Sequence, residues 1–272
     1  MNRVKVAAHP YVFWLMLFTA IPMLIVIYYA FTNAAGAFTL DNFRDMFDYS
    51  VVFLNSFRLA IISTVVCLLL GYPMAYAMAQ LGKRGRTIAM LLIMLPMWMN
   101  FLLRTYAWLT ILENNGLLNH LLGMLHLPQL HIINTPVAVG IGMIYNYLPF
   151  MILPIYNSLE NMDYSLIEAA EDLGCSGHEI FSKVILPLSI PGTISGIIMV
   201  FVPAVSTFVI SRILGGGSSI LLGDLIEMQF LGGTYDANMG AALSLVMMVI
   251  ITVFTLITDH IDNSGEESVL MS

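Results

Sequence analysis

The chain has 272 residues, 59% of them hydrophobic and only 10% charged, with a mean hydropathy of +0.86. A soluble domain carries about 25% charged residues, so the composition excludes an ordinary water-soluble fold and points to a bilayer as the second solvent. With a net charge of −7 nothing suggests a nucleic-acid partner, and two cysteines, Cys67 in an apolar run and Cys175 in a polar loop, make no disulfide framework.

Arg3 and Lys5 precede the first apolar run, Tyr11–Phe31. It exceeds the about 7–15 residues of a cleaved signal's apolar core, so it is read as a retained span. The next segment, Thr32–Ser56, mixes Phe38, Phe43, Phe47 and Tyr49 with Asp41, Arg44 and Asp45, the composition of a short amphipathic helix lying on the membrane surface. Phe57–Ala79 and Ile88–Leu112 are the second and third spans, joined by the basic loop Gly82-Lys83-Arg84-Gly85-Arg86. Between Glu113 and Asn134, His120, His126 and His131 do not fall on one helical face and predict no metal site. Thr135–Tyr156 is the fourth span, Pro191–Ile210 the fifth and Met239–Thr258 the sixth, each near the about 20 residues that a crossing needs. Prolines at 22, 73, 96, 149, 154 and 203 interrupt these runs, which predicts kinks that membranes tolerate when neighbouring groups re-satisfy the freed carbonyls. Between spans five and six, the apolar stretch Ile220–Phe230 is too short to cross and reads as re-entrant or packed at the mouth of a path. The tail from Asp259 is acidic and reads as frayed.

The fold expectation is therefore an all-α membrane protein, a polytopic bundle of about six transmembrane helices forming one domain over 1–272. Lysine and arginine bias orients it. A cytoplasmic amino terminus puts Arg3, Lys5, Lys83, Arg84, Arg86 and Lys183 inside, and six spans return the carboxyl terminus to the same side. Arg44 lies outside, with Arg58, Arg104 and Arg212 at outer helix ends.

That orientation makes 157–189 the main cytoplasmic loop. Ser165 with Glu168 has the spacing of a capping box, with Asp163 as an alternative cap. Leu166, Ile167, Ala169, Ala170 and Leu173 line a short helix, and Gly174 is placed to end it in the left-handed conformation. Ser176 with Glu179 repeats the box and opens a second helix that stops near Leu186-Pro187. A helix this short is unstable alone, so its apolar face needs a partner, either its own bundle or a soluble protein.

Glu168-Ala169-Ala170, Gly174, Val184 and Leu186-Pro187 resemble the EAA motif of ABC importer permeases, with Val184 where the family has isoleucine. Gly71–Ala75, Met97–Asn100, Arg104–Tyr106, Leu148–Met151 and Leu186–Leu188 extend the resemblance to permeases of the spermidine/putrescine type. The resemblance implies a transport subunit without catalytic groups. Its coupling residues would be Glu168, Ala169, Ala170, Asp172, Gly174, Leu186 and Pro187. Its implied partners are an ATP-binding subunit present as a homodimer, a second homologous permease and an extracytoplasmic substrate-binding protein, all at a bacterial cytoplasmic membrane. ATP would be bound by the partner, because this chain has no phosphate-binding glycine loop, and no cofactor or metal is expected here.

A polyamine path calls for aromatic faces and carboxylates. Trp98, Tyr106 and Tyr147, with Asn100, Asp224 and Glu227, are the candidate path residues, although aromatics near helix ends also serve as interfacial anchors. Arg104 would repel a polyamine unless it snorkels outward or pairs with Glu113. A ferric ion, an oxyanion or another organic amine stays open as the substrate. The spans hold almost no acids or histidines, which disfavours a membrane-bound enzyme or an ion-coupled transporter.

Overall fold

In lipid every backbone polar group must be satisfied within the segment, so long apolar runs become helices. The computed structural model describes residues 10–233 and 235–270. Its helices are α1 (Pro10–Ala30), α2 (Asp41–Asp45), α3 (Ser50–Gln80), α4 (Lys83–Trp98), α5 (Phe101–Leu112), α6 (Leu117–Met124) and α7 (Pro136–Glu160). They continue as α8 (Ser165–Asp172), α9 (Gly177–Leu188), α10 (Ile190–Ser206), α11 (Val209–Gly215), α12 (Leu222–Leu231) and α13 (Ala237–Leu270). Pro10–Ala30, Asp41–Gln80, Pro136–Glu160 and Ala237–Thr258 are each long and apolar enough to cross a membrane. Two bent pairs bring the count to six: α4 with Phe101–Met124, bent by 92°, and α9 with α10, bent by 60°. In the second pair α10 is the crossing. The charged α9 lies before it.

The expected third span is therefore broken rather than continuous. Pro96 removes a donor near the end of α4, and Asn100 starts a new helix by accepting the N–H groups of Leu102 (2.9 Å) and Leu103 (3.3 Å). Elsewhere prolines are absorbed with less disruption. Pro22 and Pro187 each follow a turn widened to the π form, over Met16–Ala20 and Phe181–Ile185. The longer i→i+5 bond makes room for a ring that clashes with the carbonyl four residues earlier.

The core forms around α7, which packs against α3 and α10. Met143, Met151, Ile152 and Ile155 are fully buried there. Close approach of α10 to α7 rests on two glycines one turn apart. A Cβ at Gly192 would lie 2.5 Å from Ser158 Cβ and 2.6 Å from the Pro154 carbonyl; one at Gly196 would lie 3.1 Å from the Met151 carbonyl. This is the small-residue packing of membrane helices. α13 covers α10 and α12 and holds α1 through Ala30, Ala241 and Ala242. The α1 span has no buried residues along its most apolar stretch.

The segment after α1 makes a bridge between Thr32 and Phe38, then the single turn α2 and a 3-10 turn that run directly into α3. The amphipathic surface helix expected there is thus a short lead-in to the second span. Between spans five and six, α12 is a separate packed helix. Leu222 and Leu225 meet Met239 and Leu243, with Met46, Tyr49, Val52 and Phe53 alongside. α13 is helical to Leu270, where fraying was expected from Asp259: a helix already nucleated in a span extends at little cost. Arg3 and Lys5 lie outside the described residues.

Candidate coupling loop and translocation path

After α7 ends at Glu160, Asp163 Oδ1 accepts the N–H of Ser165 at 3.0 Å and starts α8. Neither residue read from the sequence is the cap: Tyr164 holds that position without a side-chain cap bond, Ser165 is the first residue inside the helix, and Asp163 supports the turn before it. The bond from Ser165 holds the Asp163 carboxyl below its ordinary range.

Gly174, at φ +79°, ends α8. Its N–H donates to the Glu171 carbonyl (2.8 Å), and the N–H of Cys175 donates to the Ala170 carbonyl (3.1 Å). These two bonds are the Schellman arrangement, which satisfies carbonyls left free at a helix end. The Ser176–Glu179 box forms as expected. Glu179 Oε2 accepts from the Ser176 N–H (3.0 Å) and hydroxyl (2.9 Å), while Oε1 takes Lys183 Nζ at 3.0 Å. Together they pull the Glu179 pKa down to about 2, with the backbone N–H contributing most.

The apolar stripe of α8 divides. Ile167 and Ala170 turn inward onto Ile180, Ile185, Phe181 and Val184 of α9, with Cys175 and Met162 beside them. Tyr164, Leu166, Ala169 and Leu173 turn outward, and Leu173 is 85% exposed. Glu168, Asp172 and Gly174 are exposed as well, Leu186 is exposed and Pro187 is half-buried. The loop thus fixes one helix face and leaves another uncovered.

From α9 the connection runs into the bundle. The Phe181 ring lies edge-on to Tyr72 and Tyr76 of α3, with centroids 6.0 and 5.5 Å apart. Tyr72 Oη and Ser189 Oγ share a hydrogen bond of 2.7 Å at the junction of α9 and α10. Ser158 Oγ donates to the Leu188 carbonyl at 3.3 Å. The end of the loop is therefore in contact with α3, α7 and α10 together. None of this wiring was read from the sequence, although aromatics four apart at Tyr72 and Tyr76 mark one helix face. Arg86 was also missed as more than a topogenic charge. Its Nη2 donates to the Ala79 carbonyl (2.5 Å) and Nε to the Leu81 carbonyl (2.7 Å), closing the end of α3, and it pairs with Glu160 of α7 at 3.3 Å.

The candidate path residues do not converge. Trp98 is 76% exposed at the end of α4, and Tyr106 is exposed on α5. Asn100 spends its side-chain oxygen as the α5 cap. Tyr147 is buried and donates to the Pro203 carbonyl at 3.3 Å. Asp224 is 7% exposed and accepts the Leu221 N–H at 2.9 Å, as the cap of α12. Glu227 accepts from Arg212 Nη1 at 2.8 Å in an ion pair. Arg104 neither snorkels nor meets Glu113: it is 8% exposed, and its Nη1 donates to the Pro96 carbonyl at 2.6 Å. Among the described residues no group of three or more His, Cys, Asp or Glu side chains is placed to hold a metal ion.

A broken six-span helical bundle with a two-helix loop between spans four and five is the fold of ABC importer permeases. It superimposes with a TM-score of 0.78 on a chain of a bacterial ABC transporter that imports alginate, at 17% identity over 96% of this chain and 95% of that one. A chain of the inward-facing MetNI methionine transporter gives 0.62 at 16% identity, over 82% and 98%. Residues 68–264 match the model of the binding-protein-dependent transport system inner membrane component, and the chain belongs to that family. Among its relatives is the spermidine/putrescine transport system permease protein PotB of Escherichia coli, 38% identical over 90% of this chain and 92% of that protein. PotB of Haemophilus influenzae is 37% identical over 89% of each. The inner membrane ABC transporter permease protein YdcU of E. coli is 32% identical over 79% of this chain and 74% of its own.

Proposed function

We propose that this chain is the permease through which a polyamine of the spermidine/putrescine class crosses the cytoplasmic membrane, driven by ATP bound on a partner. The single observation that carries the substrate is the 38% identity to a spermidine/putrescine permease, spread over nine-tenths of both chains. The geometry supports the coupling half. α8, ended by Gly174, offers an uncovered apolar face of Tyr164, Leu166 and Leu173. An ATP-binding subunit, acting as a homodimer, receives that face, with Glu168, Ala169, Ala170, Asp172 and Gly174 at the contact. Leu186 and Pro187 carry the motion into α10. Both termini are cytoplasmic, which puts α8 on the side where ATP is found.

The remaining partners are a second, homologous permease and an extracytoplasmic binding protein that delivers substrate to the outer mouth. Trp98, Asn100, Tyr106, Tyr147, Asp224 and Glu227 are the candidate contacts along the way. The chain itself holds no nucleotide and no cofactor. ATP binding favours the state in which its subunits close, and it shifts the membrane helices only by its differential affinity for the two states. The test is uptake of labelled spermidine and putrescine by cells lacking this chain and any redundant importer. Loss of uptake, restored by the intact gene, is the expected result. Undiminished uptake of both would refute the substrate.

A further inference from the structure

We infer that the break in the third span, Met97–Asn100, faces the aqueous translocation path and is a way-station for an ammonium group. The ammonium part of this assignment rests on the polyamine reading above; the placement of the break does not.

The placement follows from depth and hydrogen bonding. α4 begins at Lys83 in the basic loop and has 16 residues, so it rises about 24 Å. The apolar slab is about 30 Å thick, which leaves the break inside it. There the chain turns by 92°. The Pro96 carbonyl accepts from the Met99 N–H at 3.2 Å and from Arg104. Among the described residues no donor reaches the carbonyls of Met97, Trp98 or Met99. This backbone is also uncovered: Trp98 is 76% exposed, Met99 50%, and Asn100 is exposed. Irregular backbone at membrane depth is tolerated only where protein buries it or water lines it. Nothing among the described residues buries it, so it does not face lipid; a water-lined path hydrates its free carbonyls, which cover by the apolar face of a second permease would not.

The chemistry of the break selects cations. Free carbonyls at the carboxyl end of a helix form the negative pole of its dipole, and unwound half-helix ends of this polarity coordinate cations in transporters. The Trp98 ring stands uncovered beside them and offers a face to an ammonium. A second observation points the same way. The chain already seats a cation of its own at this pole: the buried Arg104 guanidinium, on the Pro96 carbonyl, 5.8 Å over the Phe101 ring, with Nε unpartnered. Arg104 satisfies the inner carbonyl of the pole, and its positive charge opposes a second cation nearby, so the outer three carbonyls hold a substrate ammonium weakly enough to release it, as a way-station must.

The test is thiol accessibility in native membranes holding the assembled transporter, in a Cys67→Ala, Cys175→Ser background. Met99→Cys is compared with Leu92→Cys on the same helix, which is 65% exposed and sits two turns deeper. The probe is a membrane-impermeant, cationic methanethiosulfonate, which reacts with thiols in water and not in lipid. Met99→Cys is expected to react at least tenfold faster than Leu92→Cys, and millimolar spermidine to slow it at least threefold. Equal, slow labelling of both would overturn the placement. Fast labelling that spermidine leaves unchanged would keep the placement and overturn the ammonium site. Failure of the polyamine reading shows separately, as undiminished spermidine uptake without this chain.

Discussion

Glu179 carries no catalytic duty, yet its carboxylate is the most perturbed acid of the coupling loop. Its pKa falls from an ordinary 4.5 to about 2 because the charged form accepts from Ser176 and Lys183. A depressed folded value contributes stability that is complete above the unfolded pKa and is lost as pH falls through the folded one. The start of α9 should therefore hold fully above pH 4.5 and loosen progressively as pH falls from there to about 2. Hydrogen exchange of residues 176–182, corrected for intrinsic rate, checks this, and Glu179→Ala, which removes the acceptor, should exchange fast already at pH 7. Asn100 is the residue whose role was misread. Its place before the apolar run Phe101-Leu102-Leu103 is a helix-start signal, but a third span read as continuous leaves no helix start there. Asn100→Ala removes the cap and should cost about 1 kcal/mol, seen as a lower Tm, whereas Asn100→Asp should restore it.

Among the helices, the α7–α10 contact is the close packing that follows directly on the loop proposed to couple to the ATPase. Gly192→Val places a side chain where 2.5 Å separates a Cβ from Ser158. Overpacking of this kind costs about 1–3 kcal/mol, and the variant should melt earlier and transport poorly even with α8 intact. Phe181→Ala should act differently. It removes the ring that meets Tyr72 and Tyr76 while leaving the core packed, so the complex should assemble and hydrolyse ATP yet transport less per ATP. Element types were largely legible in the sequence because length and hydropathy decide spans in a bilayer. Gly174, Ser176 and Glu179 were legible because helix ends have local chemistry. The partition of the α8 stripe into Ile167/Ala170 and Leu166/Leu173 was not, because which apolar residues turn inward depends on where α9 folds back.

For the whole molecule, the number of crossings and the position of the loop between spans four and five followed from the order of apolar runs. The 92° break did not: Pro96 marks a weak point, while the angle is set by packing of α5 against α11 and α7. The path residues were least legible, since Asp224, Glu227 and Asn100 have partners within this chain that no spacing rule reveals. The central claim is that the short helix ending at Gly174 transmits the ATPase's motion. Gly174 takes a left-handed conformation with nothing within 4 Å of an added Cβ, so a side chain there strains the turn without a clash. The strain is about 1–2 kcal/mol, and larger for a β-branched residue. The most direct test is the ratio of labelled polyamine taken up to ATP hydrolysed, measured in one preparation of the reconstituted complex carrying Gly174→Val. The account predicts an assembled complex that hydrolyses ATP with that ratio at least tenfold reduced. A variant that transports with the wild-type ratio would contradict it.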